Sequence, residues 1–132
     1  MIPLIIGISS GFLIILFIGI LKHLDKKIIY GLALAGIGFL YVGFTWTNLQ
    51  EVAVNSIQAI LFLFLAYYGI KKSLNILAAG YLLHGCWDLV YSYFQNKGLL
   101  PPHYDIFCSS LDFTIAVYLL VLSNKLKIKK GI

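Results

Sequence analysis

The 132-residue chain contains no arginine, and charged residues of every kind make up only 11% of it. An ordinary soluble domain is about a quarter charged. Set beside a hydrophobic content of 61%, that scarcity excludes a soluble globular fold. All the basic charge comes from ten lysines, scattered over membrane-proximal segments without interleaved aromatics, which argues against a nucleic-acid surface. Only two cysteines occur, Cys86 and Cys108. They fall at different depths of their segments, so no disulfide is expected, and Cys86 reads as a buried structural thiol. Linkers, low-complexity stretches and internal repeats are missing. Basic residues are also missing ahead of the first apolar run, and no small-residue cleavage site follows it. That run is therefore expected to be a retained helix rather than a signal peptide.

What is present is a series of apolar runs near the roughly 20 residues that carry a helix across a bilayer. The pattern predicts an all-α membrane bundle of five transmembrane helices in a single domain, over Ile2–Leu21, Ile28–Trp46, Val52–Ile70, Ile76–Phe94 and Tyr104–Ser123. The connections are short, so sequence neighbours are expected to be antiparallel. Nine lysines (Lys22, Lys26, Lys27, Lys71, Lys72, Lys125, Lys127, Lys129 and Lys130) fall on one side and Lys97 alone on the other. The positive-inside rule then places the C-terminus in the cytoplasm and the N-terminus outside, as for a multi-pass protein of a bacterial inner membrane. Gly7-x3-Gly11 in the first run is a small-residue pair suited to close helix packing.

The polar residues within these runs are not scattered. Tyr41, Thr45 and Asn48 share the spacing i, i+4, i+7, as do Glu51, Asn55 and Gln58, and His84, Asp88 and Tyr91. Asp105, Cys108 and Asp112 follow at i, i+3, i+7. At 3.6 residues per turn each set occupies one helical face. Counted from the expected ends, Asp88 and Asp112 both lie about 9–12 Å below the outer boundary of the apolar slab, with His84 one turn deeper. The opposite half is aliphatic apart from tyrosines and Thr114. The expectation is a polar pocket that opens outward and is sealed toward the cytoplasm.

Two carboxylates at one depth in a low-dielectric site need a shared proton, a cation between them, or a protonated His84. A shared proton makes an acid/base pair. A cation makes a metal site, with His84 as nitrogen ligand, Asp88 and Asp112 as oxygen ligands, and Cys108 or His103 to complete it, in the manner of a divalent metal such as zinc. Ionisable residues within a membrane span mark function by default, so His84, Asp88 and Asp112 are the candidate catalytic residues. Tyr41, Thr45, Asn55, Gln58 and Tyr91 are candidates for substrate contact, Asn55 and Gln58 equally for interhelical hydrogen bonds. Glu51, Asp105 and His103 read as solvated surface groups, and Trp46 and Trp87 as interfacial belt residues. The Gly98-Leu99-Leu100-Pro101-Pro102 stretch reads as a stiff turn or a lid over the pocket.

From about Tyr81 to Leu120 the chain resembles a family of small bacterial integral-membrane proteins of unknown function. The matching residues are His84-x2-Trp87-Asp88 and, past a Gly/Pro-containing loop, Cys108-x3-Asp112 followed by Ala116. The resemblance implies that these residues belong together and brings no reaction with it. Three functions are open at this level. The first is an enzyme using a metal or an acid/base pair on a lipid or other amphiphile. The second is a proton- or cation-coupled transporter, although repeats with interrupted helices are not visible. The third is a non-catalytic partner subunit. A homo-oligomer in the lipid bilayer suits all three.

Overall fold

The computed structural model describes residues 2–21, 23, 25–94 and 103–130. They form five helices: α1 (Ile2–Ile20), α2 (Lys26–Phe44), α3 (Leu49–Lys71), α4 (Leu74–Phe94) and α5 (Tyr104–Lys130). Four of them, α1, α2, α3 and α5, are long and apolar enough to cross a membrane. The remaining one, α4, has the length but carries His84 and Asp88 inside it. Large apolar side chains cover the exterior; Phe12, Leu16, Phe64 and Val117, for example, are all more than half exposed. Such a surface suits hydrocarbon and not water.

Helix boundaries follow capping chemistry. Asp25 starts α2, its Oδ1 accepting from the Lys27 amide at 3.0 Å. Asn48 does the same for α3 through the Glu51 amide at 3.2 Å. This cap corrects two expectations. The helix α2 ends at Phe44 with Thr45 as its C-cap, two residues before Trp46, and Asn48 belongs to the turn rather than to the Tyr41–Thr45 face. An Asx residue that satisfies free N–H groups outweighs continued apolar periodicity. At the other extreme, α5 runs on through its lysines to Lys130, because lysine is a good helix former. The expected lid at Gly98–Pro102 and the lone Lys97 lie outside the described residues.

Glycines set how closely the helices approach. A Cβ at Gly7 would stand 1.9 Å from Ser110 Oγ and 2.5 Å from the Phe107 carbonyl oxygen, and one at Gly11 2.9 Å from Thr114. The expected Gly7-x3-Gly11 packing is thus realised against Ser110-x3-Thr114, with α1 and α5 running parallel. The other main packings are α4 on α5, α2 on α3, α3 on α4 and α2 on α4.

Along the bundle axis the interior divides in two. One half is an apolar core of Tyr30, Leu34, Phe62, Ala66, Leu77, Ala78, Tyr81, Ile115, Ala116 and Leu119. It lies toward the end that carries Lys26, Lys71 and Lys72, called here the lysine end. There Lys26 Nζ donates to the Tyr118 hydroxyl at 3.3 Å. The other half, toward the α2–α3 turn, buries Thr45, Asn55, Gln58, His84, Asp88 and Asp112. This polar half is the part that calls for a functional explanation.

Candidate functional site

The centre of the polar half is His84 of α4. Its neighbour Gly85 lets α5 close in, since a Cβ there would lie 2.7 Å from the Phe113 ring. That approach brings Asp112 to His84, with Oδ2 and Nδ1 2.7 Å apart and sharing one proton. One turn along α4, Asp88 Oδ2 stands 3.5 Å from the same Nδ1. The Tyr41 hydroxyl of α2 donates to the other oxygen of Asp88. Three helices therefore meet at one imidazole flanked by two carboxylates. His84 is 0% exposed, Asp88 1% and Asp112 1%. Among the described residues His84 is the sole ion-pair partner of either aspartate.

Two polar atoms of this centre lack hydrogen-bond partners among the described residues: His84 Nε2 and Asp88 Oδ2. Buried polar atoms are nearly always paired, and an unpaired one asks for a reason. Around the imidazole, Phe62 packs edge-on with ring centroids 4.8 Å apart, and Tyr41 lies at 5.9 Å.

A second network continues toward the turn. Asn55 Nδ2 donates to Thr45 Oγ1 and to the Tyr91 hydroxyl, both at 3.0 Å. Tyr91 in turn donates to Glu51. Thr45 Oγ1 donates to the Tyr41 carbonyl at 2.7 Å, and the Tyr41 and Tyr91 rings meet edge-on at 5.1 Å. Gln58 Nε2 ties α3 to α2 through the Gly38 carbonyl at 2.5 Å. Apart from the Thr45–Tyr41 bond, which closes the end of α2, these bonds tie one helix to another.

The candidates named from sequence fall into two groups. His84, Asp88, Asp112, Tyr41, Thr45, Asn55, Gln58 and Tyr91 come together in these two networks. Cys108 is buried, yet the group of ligand atoms within 4.8 Å of one another consists of His84, Asp88 and Asp112 without it. His103 is exposed, with a left-handed φ of 61°, and Asp105 is half-buried; neither is in that group. Two expectations are corrected. Cys86 is exposed, because two residues along a helix from the inward-facing His84 is roughly 200° around it. Glu51 is not merely solvated, since it accepts the Tyr91 hydroxyl. Tyr104, packed edge-on against Tyr41 at 5.6 Å, was not foreseen. Its position four residues before Cys108 and eight before Asp112 was the available signal.

Among the cavities lined by described residues, those of 540, 320 and 370 Å³ have linings that do not include His84, Asp88 or Asp112. One of 370 Å³, lined by Glu51, Val54, Trp87, Val90 and Tyr91, stands at the turn end of the second network.

With the geometry established, comparison with known proteins adds one fact. The profile of a family of unknown function, DUF6010, matches residues 2–125. The chain belongs to DUF6010. No curated protein and no solved structure matches it. The match takes in all five helices up to the lysines at the end of α5, so the family extends over the whole bundle and not only the His84–Asp112 half. For DUF6010 the chemistry must accordingly be argued from the site itself.

Proposed function

We propose that this DUF6010 member is a membrane enzyme whose centre is the His84–Asp112–Asp88 cluster, acting as an acid/base pair or through a divalent cation on a lipid-like substrate. The observation that carries the proposal is the orientation of His84. Asp112 holds Nδ1 at 2.7 Å, while Nε2 stays buried and unpartnered. An imidazole anchored at one nitrogen and free at the other is the arrangement a general base needs. Asp88, positioned by Tyr41, offers a second oxygen without a hydrogen-bond partner.

The same atoms suit a metal. Three protein ligands leave a fourth position for water or substrate, as catalytic zinc sites do. The 2.7 Å separation of Nδ1 and Oδ2 is a hydrogen-bond length. Tetrahedral ligands about 2.1 Å from a zinc ion stand roughly 3.4 Å apart, so binding would displace the shared proton and spread the pair by under an ångström.

In this reading the lysine end faces the cytoplasm of a bacterial cell, by the positive-inside rule, and the His84 half faces outward. A transport reading draws on one observation, the near-complete burial of two carboxylates and an imidazole, which suits a travelling proton or cation.

The test begins with metal analysis of the detergent-purified protein for zinc, iron, manganese and copper. The lipids of vesicles of defined phospholipid composition, incubated with the protein, are then followed by mass spectrometry. The enzyme reading expects a modified lipid that disappears in His84→Gln and Asp112→Asn. Unmodified lipids together with cation or proton uptake that needs Asp88 and Asp112 would transfer the proposal to transport. Variants that change neither chemistry nor uptake would leave the cluster a structural one.

A further inference from the structure

The structure assigns a lipid site to the groove between α3 and α4, and the occupant we propose is a phospholipid with a primary-ammonium headgroup. The groove consists of two cavities. The one at the turn end, of 370 Å³, carries Glu51. The one beyond it, of 320 Å³, is lined by Gln58, Leu61, Phe62, Leu65, Leu83 and Cys86. Trp87 and Val90 line both, so the two are adjacent along the same groove.

Its chemistry changes along its length. At the turn end the Glu51 carboxylate has no ion-pair partner among the described residues and accepts one hydroxyl, from Tyr91. Beside it Trp87 and Tyr91 stack with centroids 5.5 Å apart and planes 26° from parallel. A carboxylate with stacked aromatic faces is the chemistry that holds an ammonium group. The Trp87 indole N–H is buried without an acceptor among the described residues. The rest of the groove offers leucines, a phenylalanine and a thiol, surroundings for an acyl chain. From Glu51 to Leu65 the α3 backbone rises about 21 Å. That exceeds the roughly 15 Å depth of one leaflet, so a whole chain has room.

Charge complementarity selects this occupant. An anionic headgroup would meet Glu51 unfavourably, and the lysines among the described residues of a second copy stand at the other end of the bundle. Phe62 closes the groove on the side of the His84 ring. The site therefore stands apart from the acid/base centre, and its test reads binding without turnover.

The experiment uses the full chain in nanodiscs doped with a phosphatidylethanolamine that carries a photoreactive diazirine on its acyl chain. After illumination the labelled peptides are mapped. Labelling is expected to concentrate on α3 and α4 around Leu61, Leu65 and Leu83. Unlabelled phosphatidylethanolamine should compete for it, and phosphatidylglycerol should not. Glu51→Gln should reduce it roughly tenfold, the loss of one charge-assisted hydrogen bond. Val90→Trp, which fills the passage and leaves Glu51 in place, should abolish labelling in the deeper cavity while the protein still elutes as a monodisperse peak. Labelling spread evenly over exposed faces such as that of α1, or equal competition by both lipids, would overturn the assignment. So would labelling that survives both substitutions.

Discussion

The pairing of His84 with Asp112 makes a quantitative prediction. Replacing His84 by leucine leaves Asp112 at 1% exposure without its 2.7 Å partner and Asp88 with Tyr41 alone. Removing one member of a buried charged pair costs about 3–5 kcal/mol. Replacing Asp112 by leucine leaves the Nδ1 of His84 facing only Asp88 at 3.5 Å, beyond good hydrogen-bond length. An unsatisfied buried group of that kind costs about 1–3 kcal/mol. The double variant removes both, and two leucines of similar bulk on facing helices pack as ordinary core. Exchanging a whole buried pair for apolar residues is often neutral or stabilising. The double variant should therefore be no less stable than His84→Leu alone, with a coupling at least equal to the cost of Asp112→Leu, about 1–3 kcal/mol, against an additivity error of about 0.5. Unfolding in mixed micelles of rising sodium dodecyl sulfate, followed by circular dichroism, supplies the four midpoints of the cycle. Single-variant losses that simply add would refute the idea that the two side chains act as one unit.

Other consequences can be checked separately. Gly7→Leu should detach α1 from α5, since its Cβ would stand 1.9 Å from Ser110 Oγ and 2.5 Å from a carbonyl oxygen; Gly19→Leu, which has nothing within 4 Å, should not. A disulfide trap between α1 and α5 distinguishes the two. Asn55→Leu removes the bonds to Thr45 and Tyr91 at once and should cost about 1–3 kcal/mol in the same unfolding assay, and Asn55→Asp, which has no N–H to donate to either hydroxyl, should be no milder. In detergent, N-ethylmaleimide should alkylate the exposed Cys86 well before the buried Cys108, as peptide mass spectrometry would show, and the reverse order would contradict the orientation of α4.

Much of this was legible in the chain because period 3.6 is enforced where the exterior is apolar. His84, Asp88 and Tyr91 had to share a face, and that face had to turn inward. The segregation of a polar and an apolar half followed from depth counting along antiparallel helices. Other features depend on information that span order does not carry. That His84 meets Asp112 rather than Cys108 depends on Gly85 admitting Phe113. Depth alone puts Cys86 in the interior, whereas its azimuth, about 200° from His84, puts it on the exterior. A carboxylate at a turn is usually solvated, and the bond that Glu51 accepts comes from Tyr91, a residue 40 positions away. The end of α2 is masked in the sequence because the Asn48 cap also fits the i, i+4, i+7 spacing of Tyr41 and Thr45.

The docking of α1 has a bearing on how the molecule is made. Its two buried residues, Gly7 and Gly11, lie against Ser110 and Thr114. A segment synthesised ahead of α2, α3 and α4 thus waits for one synthesised after them before it finds its seat. Asp88 waits too, because the histidine beside it is not clamped until Asp112 has been synthesised. A nascent chain halted after α4 would hold a loose first helix and an uncompensated acid in hydrocarbon, a form that quality-control proteases could recognise and that insertion factors would have to shelter.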